Sequence, residues 1–122
     1  MTILVVGRSG QLGQSLLTAL PHQYPDAVFW DRQALNLVQL ETIAERLAGL
    51  KPQIIINASA YTAVDLAEQE TELAYAINRD AVNELAGYCA RNDAALIHVS
   101  TDYVFDGAAD APYSETAATN PM

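Results

Sequence analysis

The segment Ile3-Leu4-Val5-Val6-Gly7-Arg8-Ser9-Gly10-Gln11-Leu12-Gly13 constrains this chain more than any other. Four apolar residues end abruptly at a glycine, the mark of a short strand covered on both faces. Leu12, Leu16, Leu17 and Leu20 then recur at helical spacing, which predicts a helix over Gln11 to Leu20, ended by Pro21. Between the two lies G-x-x-G-x-x-G, with glycines at 7, 10 and 13. In a strand–turn–helix of this kind the first glycine permits the tight turn. The second lets a pyrophosphate approach the backbone, and the third lets helix and strand pack closely. The helix N-terminus adds unpaired N–H groups and the positive end of a dipole. An incidental glycine turn would not need a buried strand directly before it, so the pattern reads as a dinucleotide loop.

The rest of the chain repeats the alternation. Ala27-Val28-Phe29-Trp30 predicts a second strand, Ile54-Ile55-Ile56 a third and Ala95-Leu96-Ile97-His98-Val99 a fourth. The third is continuously apolar, as expected for a strand with both faces covered. Leu40, Ile43, Ala44 and Leu47 form an amphipathic stripe, with Asn36 and Gln39 as its capping box and Gly49 and Pro52 as its stop. Leu73, Ile77, Ala81, Leu85 and Cys89 predict one long helix from about Thr71 to Asn92. Strands joined through helices are parallel, with right-handed crossovers. The expected fold class is therefore α/β: an incomplete Rossmann-like three-layer fold with about four parallel strands, ordered 3-2-1-4. Residues 1–107 read as a partial NAD(P)-binding Rossmann domain, and 108–122 as a loop or frayed tail.

Length and charge narrow the function. A chain of 122 residues with 51% hydrophobic residues supports one packed domain. Its formal charge of −9 argues against nucleic acid or an anionic membrane as partner. It does not argue against a phosphate held by backbone N–H groups. The single cysteine, Cys89, excludes an internal disulfide. The first apolar run stops at Gly7, too short for a signal peptide or membrane span, so a cytoplasmic location is expected.

Several residues are candidates for ligand contact. Asp31 stands at the end of the second strand, where an acid hydrogen-bonds a ribose hydroxyl, and Arg32 beside it suits a 2′-phosphate; the alternative is a solvated turn. The pair leaves NADH and NADPH both open as cofactor. Asn57-Ala58-Ser59-Ala60-Tyr61-Thr62 follows the third strand with small residues that allow a ligand against the backbone. Ser100, Thr101 and Asp102 follow the fourth, where hydroxyls could polarise a carbonyl or merely form a Ser/Thr turn. Asp65, Glu68, Glu70 and Glu72 read as a solvated surface with no metal role. His22 is expected in a surface loop, and His98 as a satisfied histidine inside a buried strand.

Together these segments resemble the extended short-chain dehydrogenase/reductase family, and within it the dTDP-4-dehydrorhamnose reductases. The resemblance rests on Gly7 to Gly13, on Asn57 to Asp65 with Ala67-Glu68 following, on Ile77-Asn78, and on Pro112-Tyr113-Ser114-Glu115. Its most specific piece is Ser100-Thr101-Asp102-Tyr103-Val104-Phe105-Asp106-Gly107. It implies NAD(P)H-dependent reduction of a 4-keto dTDP-sugar. By that analogy Gly10, Gln11 and Leu12 face the pyrophosphate, and Asp31 and Arg32 meet the adenosine ribose. Asn36 and Leu37 lie near the adenine, and Ala60, Tyr61 and Thr62 line the rest of the cofactor. Thr101 is the hydroxyl partner in catalysis, with Asp102 and Tyr103 near the substrate.

The family's Tyr-x-x-x-Lys is missing from these 122 residues, whose single lysine is Lys51. The expectation is thus the N-terminal, cofactor-binding part of such a reductase, inactive by itself, with the sheet edge at Ala95 to Val99 either driving self-association or covered by the segment Ala108–Met122. The alternative is a non-catalytic binding or regulatory module, a use of the same fold in a methionine adenosyltransferase subunit. A flavodoxin-like electron carrier fits the alternation but not the Ser-Thr-Asp-Tyr run.

Overall fold

The computed structural model describes residues 1–121. Four parallel strands, β1 (Ile3–Val6), β2 (Val28–Trp30), β3 (Ile54–Asn57) and β4 (Ala95–His98), form one sheet. Helix α1 (Gln11–Ala19) joins β1 to β2, and α2 (Leu40–Leu50) joins β2 to β3. Between β3 and β4 lie α3 (Val64–Ala67), α4 (Thr71–Tyr75), a π turn over Ala76–Asp80, and α5 (Ala81–Arg91). Among the described residues no helix is long and apolar enough to cross a membrane.

The expected α/β class is observed, but the strand order is 2-1-3-4 rather than 3-2-1-4. Crossover α2 carries the chain back over β1, so β3 pairs with β1 on the side opposite β2. The segment that would have widened the sheet beyond β2 does not pair. Leu35 and Leu37 turn inward from it as core residues, while Leu35 donates its N–H to the Asp31 carbonyl in a turn. The winding of the chain therefore reverses between β1 and β3, and a cleft opens at the carboxyl ends of those two parallel strands.

The main core lies on one face. Leu4, Val6 and Ile55 meet Ile43 and Leu47 of α2 and Ala81, Leu85, Tyr88 and Cys89 of α5. The Tyr88 hydroxyl donates to the Leu47 carbonyl at 3.2 Å, which removes the one polar cost of burying that ring between the helices. Burial also pushes the Cys89 thiol above its ordinary pKa, consistent with a packing role. The opposite face is covered only over β1. Along the register row Val5, Ile56, Ile97 the exposure rises from 0% through half-buried to 51%. The full coverage expected of β3 is thus incomplete, and His98 is exposed rather than inside a buried strand.

The expected capping box is absent: Gln39 is the N-cap of α2 without a side-chain bond, and Asn36 Oδ1 instead accepts the Val38 N–H at 3.2 Å. Gly49 lies inside α2, and Lys51 takes the left-handed stop at φ 54°. The long helix expected over Thr71 to Asn92 is interrupted by the π turn.

Two glycines join α1 to the sheet. Gly7 has φ +93°, and a Cβ there would stand 2.7 Å from the Ala58 carbonyl carbon and the Ser59 nitrogen. At Gly13 a Cβ would stand 2.1 Å from the Gly7 carbonyl oxygen.

Residues 108–121 contain no helix or strand, yet they are tied down rather than frayed. Asp106 accepts from the Ala108 N–H at 2.9 Å, the Tyr113 hydroxyl at 3.0 Å and the Asn120 amide at 2.9 Å. Phe105 stacks on Tyr113 with ring centroids 4.3 Å apart, and the Asn120 N–H returns to the Val104 carbonyl. The Asn120, Ala108 and Tyr113 donors hold the Asp106 carboxyl below the usual carboxylate range.

Two outcomes follow from this packing. Gly13→Ala should lower unfolding stability by ~1–3 kcal/mol through overpacking. Gly49→Ala, inside a helix with nothing within 4 Å of the new methyl, should instead raise it by ~0.4–1 kcal/mol. Urea titration decides, and equal effects at the two sites would refute the close packing of α1. For the tail, a carboxyl with a depressed pKa stabilises the fold above its unfolded value of about 3.9 and loses that contribution as pH falls through its folded value. The amide signals of Ala108 and Asn120 should therefore move together on acidification below about pH 4, and not in Asp106→Asn.

Candidate functional site

The cleft at the β1/β3 reversal has a volume of about 800 Å³. Its floor is the glycine loop and the start of α1, its walls the segments after β2 and β3. Gly10 is the N-cap of α1, extended at φ −77° and ψ 172°, with no side-chain cap and no acid in the first turn. Its carbonyl accepts the first helical bond, from the Gln14 N–H at 2.9 Å. The N–H groups of Gln11, Leu12 and Gly13 find no backbone acceptor among the described residues. The helix thus presents uncompensated donors and its positive dipole end at the cleft, an arrangement whose chemistry suits an anion.

The glycines divide by role. Gly7 and Gly13 are demanded by the protein's own backbone, and Gly13 does not line the cleft. Gly10 is different. A Cβ there would meet only the Gly7 oxygen at 3.5 Å and the Ala58 oxygen at 3.8 Å, ordinary contact distances. Internal packing therefore does not require glycine at 10, which lines the cleft.

The wall after β2 is built around Asp31. One of its carboxylate oxygens accepts from the Gln33 and Ala34 N–H groups, each at 3.0 Å. The other makes no hydrogen bond among the described residues, so a turn and a ligand contact are compatible at this side chain. Arg46, from α2, grips the same turn: its Nε and Nη2 donate to the Ala34 carbonyl at 3.1 and 2.6 Å, and its guanidinium lies 5.7 Å from the Trp30 ring centroid. Sequence reading missed Arg46, since no motif marks a helix arginine that holds a distant turn. Arg32 is exposed on the rim, Asn36 is half-buried, and Leu37 is mostly enclosed by the core while reaching the cleft.

The wall after β3 starts from Asn57, a buried polar residue at 1% exposure. Its Oδ1 accepts from the Ser59 N–H at 3.1 Å and the Ser59 hydroxyl at 2.5 Å. Its Nδ2 faces His98 Nδ1 at 3.2 Å, which places the imidazole proton on Nε2. An asparagine closing an isoleucine run was the available signal for this role. Ala60, Tyr61 and Thr62 continue the wall. The Tyr61 hydroxyl donates to Glu70, and that bond, followed by desolvation and the Glu70 charge, raises the phenol pKa. The acidic stretch is exposed as expected, but Glu70 has this structural partner.

Thr101, Asp102 and Tyr103 do not line this cleft. Asp102–Val104 form a 3-10 turn just after β4, with Thr101 as its cap: the Thr101 Oγ1 accepts the Tyr103 N–H at 3.3 Å and its hydroxyl donates to Asp102 Oδ1 at 3.3 Å. All three are exposed, at the same carboxyl edge of the sheet as the cleft. Among the described residues no cluster of His, Cys, Asp and Glu suits a metal ion.

The dTDP-4-dehydrorhamnose reductase of Burkholderia thailandensis is 42% identical over 125 residues, covering 100% of this chain and 41% of that protein. The crystal structure of a dTDP-4-dehydrorhamnose reductase from Clostridium acetobutylicum superposes with a TM-score of 0.94 at 36% identity, covering 99% of this chain and 43% of that one. The dTDP-4-dehydrorhamnose reductase from Bacillus anthracis, solved in complex with NADP, superposes with a TM-score of 0.91 at 35% identity, covering 98% and 43%. This chain spans about two-fifths of the length of the relatives it matches, and corresponds to their N-terminal portion. The RmlD substrate binding domain family matches residues 1–122, and the chain belongs to that family.

Proposed function

We propose that this chain forms the dinucleotide-binding part of an NAD(P)H-dependent reductase of a 4-keto dTDP-sugar. The observation that carries the reading is the N-terminus of α1: backbone donors without backbone acceptors, those of Gln11 and Leu12 in residues that line the cleft beside Gly10. Gly10, Gln11 and Leu12 hold the pyrophosphate. Asp31 takes a ribose hydroxyl with its unpaired carboxylate oxygen, and Arg32 reaches a 2′-phosphate from the rim. Asn36 and Leu37 bound the adenine, and Ala60, Tyr61 and Thr62 bound the other half. The NADP bound to the Bacillus anthracis relative supports a phosphorylated cofactor.

When bound, the nicotinamide supplies hydride to a carbonyl carbon. This chain positions that reaction: its cleft ends beside β3, and Thr101 stands after the adjacent strand β4, where its hydroxyl can donate to the substrate carbonyl oxygen. Asp102 and Tyr103 flank the sugar. Thr101 is far too weak an acid to deliver the proton the new alkoxide needs, and residues 1–122 hold no Tyr-x-x-x-Lys for that task.

Calorimetric titration with NADPH tests the binding half. Gly10→Ala should weaken binding by about 10-fold or more while the melting temperature stays within about 2 °C. Arg32→Ala should weaken NADPH more than NADH; equal losses would show that Arg32 points away from the ribose. The catalytic half predicts no turnover of dTDP-4-dehydrorhamnose by residues 1–122 with either cofactor, since missing acid–base help alone costs about 10²- to 10⁴-fold. Turnover that survived Thr101→Ala would mean that the chemistry lies elsewhere.

A further inference from the structure

The turn after β2 is held from outside the cleft by one side chain. Arg46 is exposed on α2, beside Ile43 and Leu47, which anchor that helix in the core. Its guanidinium donates twice to the Ala34 carbonyl, from Nε at 3.1 Å and from Nη2 at 2.6 Å, and lies 5.7 Å from the Trp30 ring centroid. The chain carries 15 acidic residues against 6 basic ones, yet Arg46 makes no ion pair among the described residues. Its charge is directed at a carbonyl and a ring instead. The peptide group between Ala34 and Leu35 is thereby held on both sides. Its carbonyl accepts from Arg46, and its N–H donates to the Asp31 carbonyl at 3.0 Å. These two groups point in opposite directions from a planar trans peptide, so holding both fixes its rotation as well as its position.

Asp31 is bound into that turn by its backbone and by its side chain. Its carbonyl takes the Leu35 N–H, and one carboxylate oxygen takes the Gln33 and Ala34 N–H groups at 3.0 Å each. The other oxygen has no hydrogen bond among the described residues, and Asp31 lines the cleft. The direction of that free oxygen is therefore set by a turn whose far end Arg46 grips. Arg46 itself does not line the cleft, and its hydrogen bonds go to Ala34 alone. We infer that Arg46 is a positioning residue for the adenosine end of the dinucleotide, acting through the Ala34–Leu35 peptide on the ribose contact of Asp31. The inference rests on the proposed cofactor reading.

The test titrates the wild-type chain, Arg46→Met and Arg46→Lys with NADPH and with 2′,5′-ADP, which carries only the adenosine half. Arg46→Met keeps an apolar stem near Trp30 and removes the donors. It should weaken both ligands by the same factor, about 5-fold, because both share the affected end. Arg46→Lys keeps one donor and the charge, so it should fall between. The same Arg46→Met change made together with Asp31→Ala should cost less than about twofold, since the contact through which it acts is gone. Amide exchange at Leu35 should accelerate in Arg46→Met, while that at Gln14, in the first turn of α1, should not. Unchanged affinity for 2′,5′-ADP would overturn the inference. So would a full loss that persists in the Asp31→Ala background, or faster exchange at both Leu35 and Gln14, which would show a general effect on the fold. A wild-type chain that binds neither ligand overturns the cofactor reading itself, and with it this role for Arg46.

Discussion

Everything at the carboxyl edge of this sheet depends on one backbone contact. Gly7 turns with φ +93° directly against Ala58 and Ser59, and Gly13 lays α1 on the Gly7 carbonyl. Side chains would force these three segments apart. Without them, β1, β3 and α1 converge where the winding of the chain reverses, and the unpaired donors of α1 face a cleft instead of bulk water. The core beneath, from Leu4 through Ile55 to Leu85, makes this arrangement rigid.

Around that point the cleft is finished by side chains that fix backbone, two of them from elements distant in sequence. Arg46 holds the turn after β2 through Ala34, Asn57 holds the start of the next loop through Ser59, and Asn78 holds Tyr61. Beyond β4, Asp106 gathers the Ala108 N–H and the side chains of Tyr113 and Asn120. Loops carry no ladder of their own, so their peptide groups are oriented by such borrowed partners. Placement of this kind is what a ligand needs from a wall that contacts it mainly through small residues.

The alternation of strands and helices and the glycine loop were legible in the sequence because each is a local pattern: a period, a run, a spacing. The residues Gly10, Gln11, Leu12, Asp31, Arg32, Asn36, Leu37, Ala60, Tyr61 and Thr62 do converge on one cleft. Strand order was not legible, since the same α2 stripe permits β3 to land on either side of the pair β1–β2; in the structure Leu35, Leu37, Ile43 and Leu47 share one core cluster. The stop of α2 differs from the one its glycine suggests because Lys51, not Gly49, takes the left-handed conformation. The clamps by Arg46 and Asn78 were invisible for a different reason. They join residues 12 and 17 positions apart, on elements with no shared motif.

The cleft's walls come from residues near 10, near 35 and near 60, and they meet only when β1, β2 and β3 are in register. A partly folded chain that lacks any one of these pairings has no cleft to offer. Occupancy is therefore thermodynamically linked to completion of the sheet. Any ligand of this cleft draws the conformational equilibrium toward the native state by mass action, contributing about 2.7 kcal/mol at a hundredfold excess over its dissociation constant. The cell's concentration of that ligand thus becomes one of the terms that decide how much of this chain is folded.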